Sequence, residues 1–247
     1  MNELLNNGCW FQWQLAISHV RSTFCFKGGQ IVPASTDPNE VCVNGMSFSR
    51  RDSLWANSAL VVTVSPDDEV LEEYKEKHGV LAGLEFQRDM ERRASVLGGG
   101  NLTVPVQRVT DFCEGKISPT IPSSSYRLGV KSAPCHEIYP EPITNALRDA
   151  LTNHFQKQMP GYFHEDGLLH AVETRTSSPL RVARDPQTLL AIGTENLYPS
   201  GEGAGYAGGI VSAAVDGINV AETILDKICG ESRPNRISTG KSVGFSY

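Results

Sequence analysis

The sequence has no apolar run approaching the roughly 20 residues of a membrane-spanning helix, so no membrane span is expected. Its 22 lysines and arginines are outnumbered by 28 aspartates and glutamates, giving a formal net charge of -6. No nucleic-acid partner fits that balance, because binding a polyanion needs a basic face and the basic doublets are confined to Arg50-Arg51 and Arg92-Arg93. The cysteines at 9, 25, 42, 113, 135 and 229 form no C-x-x-C and keep no regular spacing. That excludes a zinc site and a disulfide framework from the expectation, and points to a soluble protein of a reducing compartment without a bound metal. The opening MNELLNNGCWFQWQLAISHV lacks the basic start and apolar centre of a secretory signal and the Arg- and Ser-rich make-up of a transit peptide. No histidine has a Ser, Cys or acid partner in a recognisable motif, so no catalytic triad is read and no catalytic residue is assigned.

What is present is a 247-residue chain with 40% apolar residues, enough to bury a core. From Val20 to Ser35 the pattern is strand, Lys27-Gly28-Gly29 turn, strand; Asn44-Gly45 is a second turn pair, and SALVVTVS has the length of a buried strand. Leu81 to Leu97 repeats its apolar residues at helical spacing and is ended by Gly98-Gly99-Gly100. A helix starts near Pro142, carries Ile143, Ala146, Leu147, Ala150, Leu151 and Phe155 on one face, and stops at Met159-Pro160-Gly161. Leu168 to Ser178 reads as a strand with a polar end, and NLYPSGEG as a very short strand into a glycine turn. A long helix follows, with Ile210, Ala214, Gly217, Ile218, Ala221, Ile224, Leu225 and Ile228 on a face expected to be buried. The fold class expected is α/β (mixed α+β) with a mostly antiparallel sheet. Its organisation is a poorly defined segment 1-19, a main domain 20-195, a strand-turn-helix 196-229 and a loose tail 230-247.

The stretch YPSGEGAGYAGGIVSAAVDG contains a literal G-x-G-x-x-G at Gly203, Gly205 and Gly208. A dinucleotide fingerprint needs a second parallel strand after the helix, ending in an acid for the ribose, and CGESRPNRISTG has no strand character. The turn has a different use. Residues without side chains at a helix start leave unpaired N–H groups and the positive end of the dipole open to an electron-rich ligand. Glu202 can turn its carboxylate to a sugar-alcohol hydroxyl while the N–H groups face the edge of a flavin.

The segments GLLHAVETRTSSPLRV, LYPSGEGAGYAGGIVSAAVDGI, NGMSFSRRDSLWANSALVVTVS, LAGLEFQRDMERRA and VPVQRVTDF resemble, in order from about Val20 to Ala221, the carboxy-terminal region of the FAD-dependent (NAD(FAD)-utilising) dehydrogenases of bacteria and chloroplasts. The resemblance implies a partial FAD-dependent oxidoreductase fold with an incomplete FAD site. On it, Gly201, Glu202, Gly203, Gly205, Tyr206, Ala207, Gly208, Gly209 and Ile210 match the flavin-contacting turn. Glu173, Thr174, Arg175, Thr176 and Ser177 match the polar segment on the substrate or flavin side. Family members carry an amino-terminal βαβ for the ADP half of FAD, so this chain is expected to be a fragment whose missing Rossmann half another chain supplies. Phe24-Cys25-Phe26-Lys27-Gly28-Gly29 stands where the family pattern is nearer Cys-x-Cys-Pro-Gly-Gly.

Two functions are consistent with these residues. One is the substrate-facing portion of an FAD-dependent oxidoreductase, acting on an unassigned small molecule, in a chloroplast if it follows its plant relatives. The other is a truncated binding module that does not hold FAD alone. Residue by residue, Arg175 is a candidate for an anion or for a salt bridge with Glu173 or Asp185, and His170 for a hydrogen-bonded core position.

Overall fold

The computed structural model describes residues 10-16, 21-22, 28-159 and 161-230. The remaining segments, which include Cys25 and the tail from residue 231, lie outside the described residues. The chain divides into two units, Met1–Arg175 and Thr176–Tyr247.

In the first unit the strands are β1 (Trp10–Ala16), β2 (Arg21–Ser22), β3 (Gly29–Pro33), β4 (Val43–Ser47), β5 (Trp55–Val61), β6 (Val104–Arg108), β7 (Val130–Ser132) and β8 (Leu168–His170). Six of them form one sheet in the order β2-β5-β1-β8-β6-β7. The pairs β1–β5, β1–β8 and β6–β7 are parallel. Antiparallel pairing is limited in that sheet to β2–β5 and β6–β8, so it is mixed. Strand β1, inside the segment taken as poorly defined, runs through its centre.

The hairpin expected across Lys27-Gly28-Gly29 falls largely on residues 23-27, outside the described residues; β3 itself pairs with β4 in a ladder in which Ile31 faces Gly45 and Val32 faces Asn44. Asn44-Gly45 is therefore strand, its local turn preference overridden by the pairing. The reversal occurs at Asp37-Pro38-Asn39, where the Asn39 amide donates to Asp37 Oδ1 at 2.8 Å and the Glu40 amide to Asp37 O at 3.2 Å.

Helices α1 (Glu72–His78), α2 (Ala82–Gly98), α3 (Val109–Glu114) and α4 (Glu141–Asp149) follow. Helix α4 passes through a π-helical stretch, Ala150–Phe155, into a last turn α5, Gln156–Gln158. Ala82, Phe86, Met90 and Ala94 recur every four residues on α2 and are all buried. They join Val104, Val106, Phe112, Leu147, Leu151, Leu168 and Leu169 in one core. Gly99 takes the left-handed conformation and its amide reaches the carbonyls of Ser95 and Val96, ending α2 where the glycine run predicts.

The second unit consists of irregular chain and helix α6 (Ile210–Cys229). No strand precedes its glycine turn among the described residues, and the strand expected over 168-178 ends at His170. Its described residues are mostly exposed, with Ala191, Pro199, Val220 and Thr223 buried. The face of α6 expected to be buried is instead largely open: Ile210 is 91% and Ile228 74% exposed, and Ala214, Ile218, Ala221 and Leu225 between them are exposed too. These six residues lie at helical spacing on one stripe about 27 Å long. The opposite side carries the buried Val220 and Thr223, so the periodicity is helical but its apolar face has no partner among the described residues of this unit.

The two faces of α2 give a direct check on the core. Met90 is fully buried and Val96 is 79% exposed. In chemical denaturation Met90→Ala is expected to cost about 2–5 kcal/mol and Val96→Ala no more than about 0.5. Equal effects would contradict the placement of α2.

Candidate functional site

The sequence-predicted site residues fall into both units. Glu173, Thr174 and Arg175 close the first; Thr176 and Ser177, both exposed, open the second, with the glycine turn further along.

After His170 the chain leaves the sheet yet stays buried through Thr174, so its backbone groups need partners other than a ladder. Val172 O accepts from the Val43 amide at 2.8 Å, and Thr174 O from Gln87 Nε2 at 2.7 Å. The Thr174 hydroxyl donates to Glu91 Oε1. Arg175 grips the same carboxylate with both arms, Nε to Oε1 at 2.9 Å and Nη2 to Oε2 at 2.7 Å. Its Nη1 donates to Ala34 O at 3.3 Å and Thr36 Oγ1 at 3.4 Å. Glu91, 1% exposed, is thus the partner that sequence reasoning missed for Arg175; neither Glu173 nor Asp185 takes that place. The only advance signal was its position beside Met90 on the buried side of α2.

His170 is fully buried. Leu168 O can only accept, so Nδ1 carries the hydrogen in the 3.2 Å contact between them, and Nε2 accepts from the Ser124 hydroxyl at 2.8 Å. Burial pushes the ring down to about 4. An imidazole so reluctant to be charged is a poor base toward Ser124, and the pair is a structural hydrogen bond. Glu173 differs: its Oε2 is buried without a hydrogen-bond partner among the described residues, and burial pushes the carboxyl up to about 7.

In the second unit the glycine turn is held by a residue absent from the sequence-based set. Asp216, on α6, accepts from the Gly201 amide at 2.8 Å, Ser200 Oγ at 3.3 Å, and Arg184 Nη1 and Nη2 at 3.0 and 2.6 Å. Burial pushes its carboxyl up, but these donors together hold it below the ordinary carboxylate range. Tyr206 has two guanidiniums over its ring, Arg184 at 3.5 Å and Arg181 at 4.5 Å from the centroid, and its hydroxyl donates to Val182 O at 2.9 Å. Gly205 has φ +80, and a Cβ there would meet Leu180 O at 2.5 Å. Gly201, Gly205 and Tyr206 therefore have tasks within the fold.

The remaining turn residues are not explained that way. A Cβ on Gly203 would meet nothing within 4 Å, and one on Gly209 would meet only Ser212 Oγ at 3.7 Å. Gly209 is the N-cap of α6 and supplies no side-chain cap. Ala207 is half-buried, and Glu202, Gly208 and Ile210 are exposed. This is an open, small-residue helix entrance with an exposed acid, Glu202, beside it.

Comparison with known proteins now decides the family. The model for "FAD-dependent protein, C-terminal domain-like" matches residues 11-176, two thirds of the chain. The chain belongs to that family. An uncharacterized protein of Clostridium beijerinckii is 45% identical over 208 residues, 83% of this chain and 38% of the relative, so this chain spans well under half of that protein's length. The end of the family match coincides with the junction of the two units. The Glu91–Arg175 cluster is thus inside the FAD-dependent C-terminal domain, while the glycine turn follows it. Among the described residues no helix is long and apolar enough to cross a membrane.

If Asp216 organises the turn, Asp216→Asn, which keeps the shape but loses the charge, should open residues 198-206 to a protease that cuts after aromatic residues, with Tyr198 and Tyr206 as sites. Unchanged digestion would show that the turn stands without that carboxylate.

Proposed function

We propose that this chain is the substrate-side portion of an FAD-dependent oxidoreductase that passes hydride or electrons through the flavin to or from a small molecule. The observation that carries this reading is the entrance to α6. It has open space at Gly203 and, up to Ser212 Oγ, at Gly209, a 20-residue helix without a side-chain N-cap, and an exposed acid at Glu202. Those features suit a flavin: the first amides of α6 donate toward an electron-rich ring edge, and Glu202 accepts from a hydroxyl of the sugar-alcohol chain. When bound, FAD would supply the two-electron chemistry; the residues here bind and orient it. The cysteines seen in the described residues are all unpaired, in keeping with a reducing compartment, which would be a plastid if the chain follows the plant members it resembles.

In this reading the site is incomplete without a dinucleotide-binding half, which holds the ADP portion. The apolar stripe of α6, Ile210 to Ile228, is the surface on which that half would seat. The length of the clostridial relative supports it, since more than half of that protein lies beyond the matched region. The stripe carries no charged residue, which suits an apolar sheet or helix face.

Quenching of flavin fluorescence tests the proposal. The chain alone is expected to bind FAD saturably with a dissociation constant weaker than about 1 μM, because the ADP contacts are missing. Gly203→Ala should weaken that binding by about fivefold or more without lowering the melting temperature, because the added methyl meets no protein atom. An absence of saturable quenching, or an unchanged affinity in Gly203→Ala, would remove this turn from a flavin site.

A further inference from the structure

Residues 171-175 follow β8 out of the sheet and are held down by bonds to three other elements. The Ala171 amide donates to Pro105 O on β6 at 3.1 Å, and Val172 O accepts from the Val43 amide on β4 at 2.8 Å. On α2, Gln87 Nε2 donates to Thr174 O at 2.7 Å, and Glu91 receives the Thr174 hydroxyl and the fork of Arg175. Glu173 is the exception. It is 9% exposed, and its Oε2 is buried with no hydrogen-bond partner among the described residues. Asp111 Oδ2 also lacks a partner, but Asp111 is only half-buried and sits in the first turn of α3, where helix amides favour a charge. A buried carboxyl without donors tolerates its neutral form far better than its charged one.

The groups packed around this segment leave Glu173 as the one that changes charge near neutral pH. Tyr139, before α4, feels the Glu173 charge, and burial holds its phenol well above the ordinary range. Burial pushes the Cys42 thiol, which lies 3.8 Å from Thr174 Oγ1, up to about 11, and raises that of Cys135 as well. The charged neighbours are matched with one another: Glu91 with Arg175, and Glu40 with Arg92 at 3.2 Å and Arg175 at 3.8 Å. Burial alone raises the Glu173 carboxyl from 4.5 to about 7 in the closed segment. Between those values the closed segment keeps a proton that an opened, solvated one has lost. Closure is therefore favoured fully at low pH, and that advantage is lost as pH rises through about 7.

We propose that residues 171-175 form a pH-dependent clasp with Glu173 as its release: while the carboxyl is neutral the segment lies closed against β4, β6 and α2, and when it ionises the segment lifts to give the charge to water. Val172 and Thr174 are tied on either side of Glu173, so moving its carboxyl outward loosens their bonds too. Thr174 and Arg175, at the end of the family domain, are then fixed in place below neutral pH and loosened above it. The clasp lies within the first unit and stands independently of the flavin reading. The only covalent change is the loss of the carboxyl proton to solvent.

Amide hydrogen exchange of the full chain at pH 5 and pH 8, corrected for the intrinsic pH dependence of exchange, tests the clasp. The Val43 amide reports the closed segment through Val172 O, and the Ala133 amide, bonded to Val106 O, reports the sheet. In the wild type, protection at Val43 should fall about tenfold or more from pH 5 to pH 8, while Ala133 changes much less. Glu173→Gln keeps the shape of the side chain but cannot ionise, and should leave Val43 equally protected at both pH values. A wild type in which Val43 loses no more protection than Ala133 would mean that the carboxyl reaches water by turning its own side chain, and overturns the clasp. The same loss at Val43 in Glu173→Gln as in the wild type overturns it as well. Carbon NMR of the Glu173 carboxyl gives a readout that needs no variant: a titration midpoint of about 7 is expected, and one at the ordinary 4.5 overturns the proposal.

Discussion

The Glu91–Arg175 ion pair is the interaction on which the first unit's site depends. A carboxylate 1% exposed would be strongly destabilising alone. Here it receives the Thr174 hydroxyl and two guanidinium N–H groups from consecutive residues, so desolvating it is offset by three charge-assisted hydrogen bonds. Because Thr174 and Arg175 are adjacent, the pair fixes backbone as well as side chains. It holds a buried stretch that has left the sheet, and that stretch in turn sets where Glu173 points.

The second unit repeats the device on a different scaffold. Asp216 collects Arg184, Ser200 and the Gly201 amide, and Tyr206 stacks against the same guanidinium. An acid on a helix thereby gives shape to irregular chain that buries too little apolar surface to shape itself. What it shapes is the entrance to α6, with Gly203 and Gly209 left open. The outer stripe of α6 is helical in period and apolar in composition, which accounts for its appearance as a core helix in the sequence.

Periodicity alone located α2, α4 and α6 within a residue or two, because each presents an apolar face every three to four positions. It failed where non-local pairing decides. The Asn44-Gly45 pair is a strong turn signal that β3 overrides, and β1 draws its identity from lying between β5 and β8 rather than from its own pattern. The site was partly legible. Glycines, Glu173 and Arg175 stand out as residue types, but Glu91 and Asp216 are ordinary acids on helices, and only tertiary structure brings them to Arg175, 84 residues away, and to Arg184, 32 residues away. Ionic partners at such separation leave no local mark in the sequence.

The claim that one ion pair holds the post-strand segment in place is tested most directly by amide hydrogen exchange in Glu91→Gln. The Val43 amide is bonded to Val172 O in that segment, while the Ala133 amide is bonded to Val106 O in the sheet. If Glu91 clamps the segment locally, the variant should speed exchange at Val43 by about tenfold or more, the scale of a lost charge-assisted hydrogen bond, while Ala133 changes much less. Equal acceleration at both amides, or none at Val43, would contradict it.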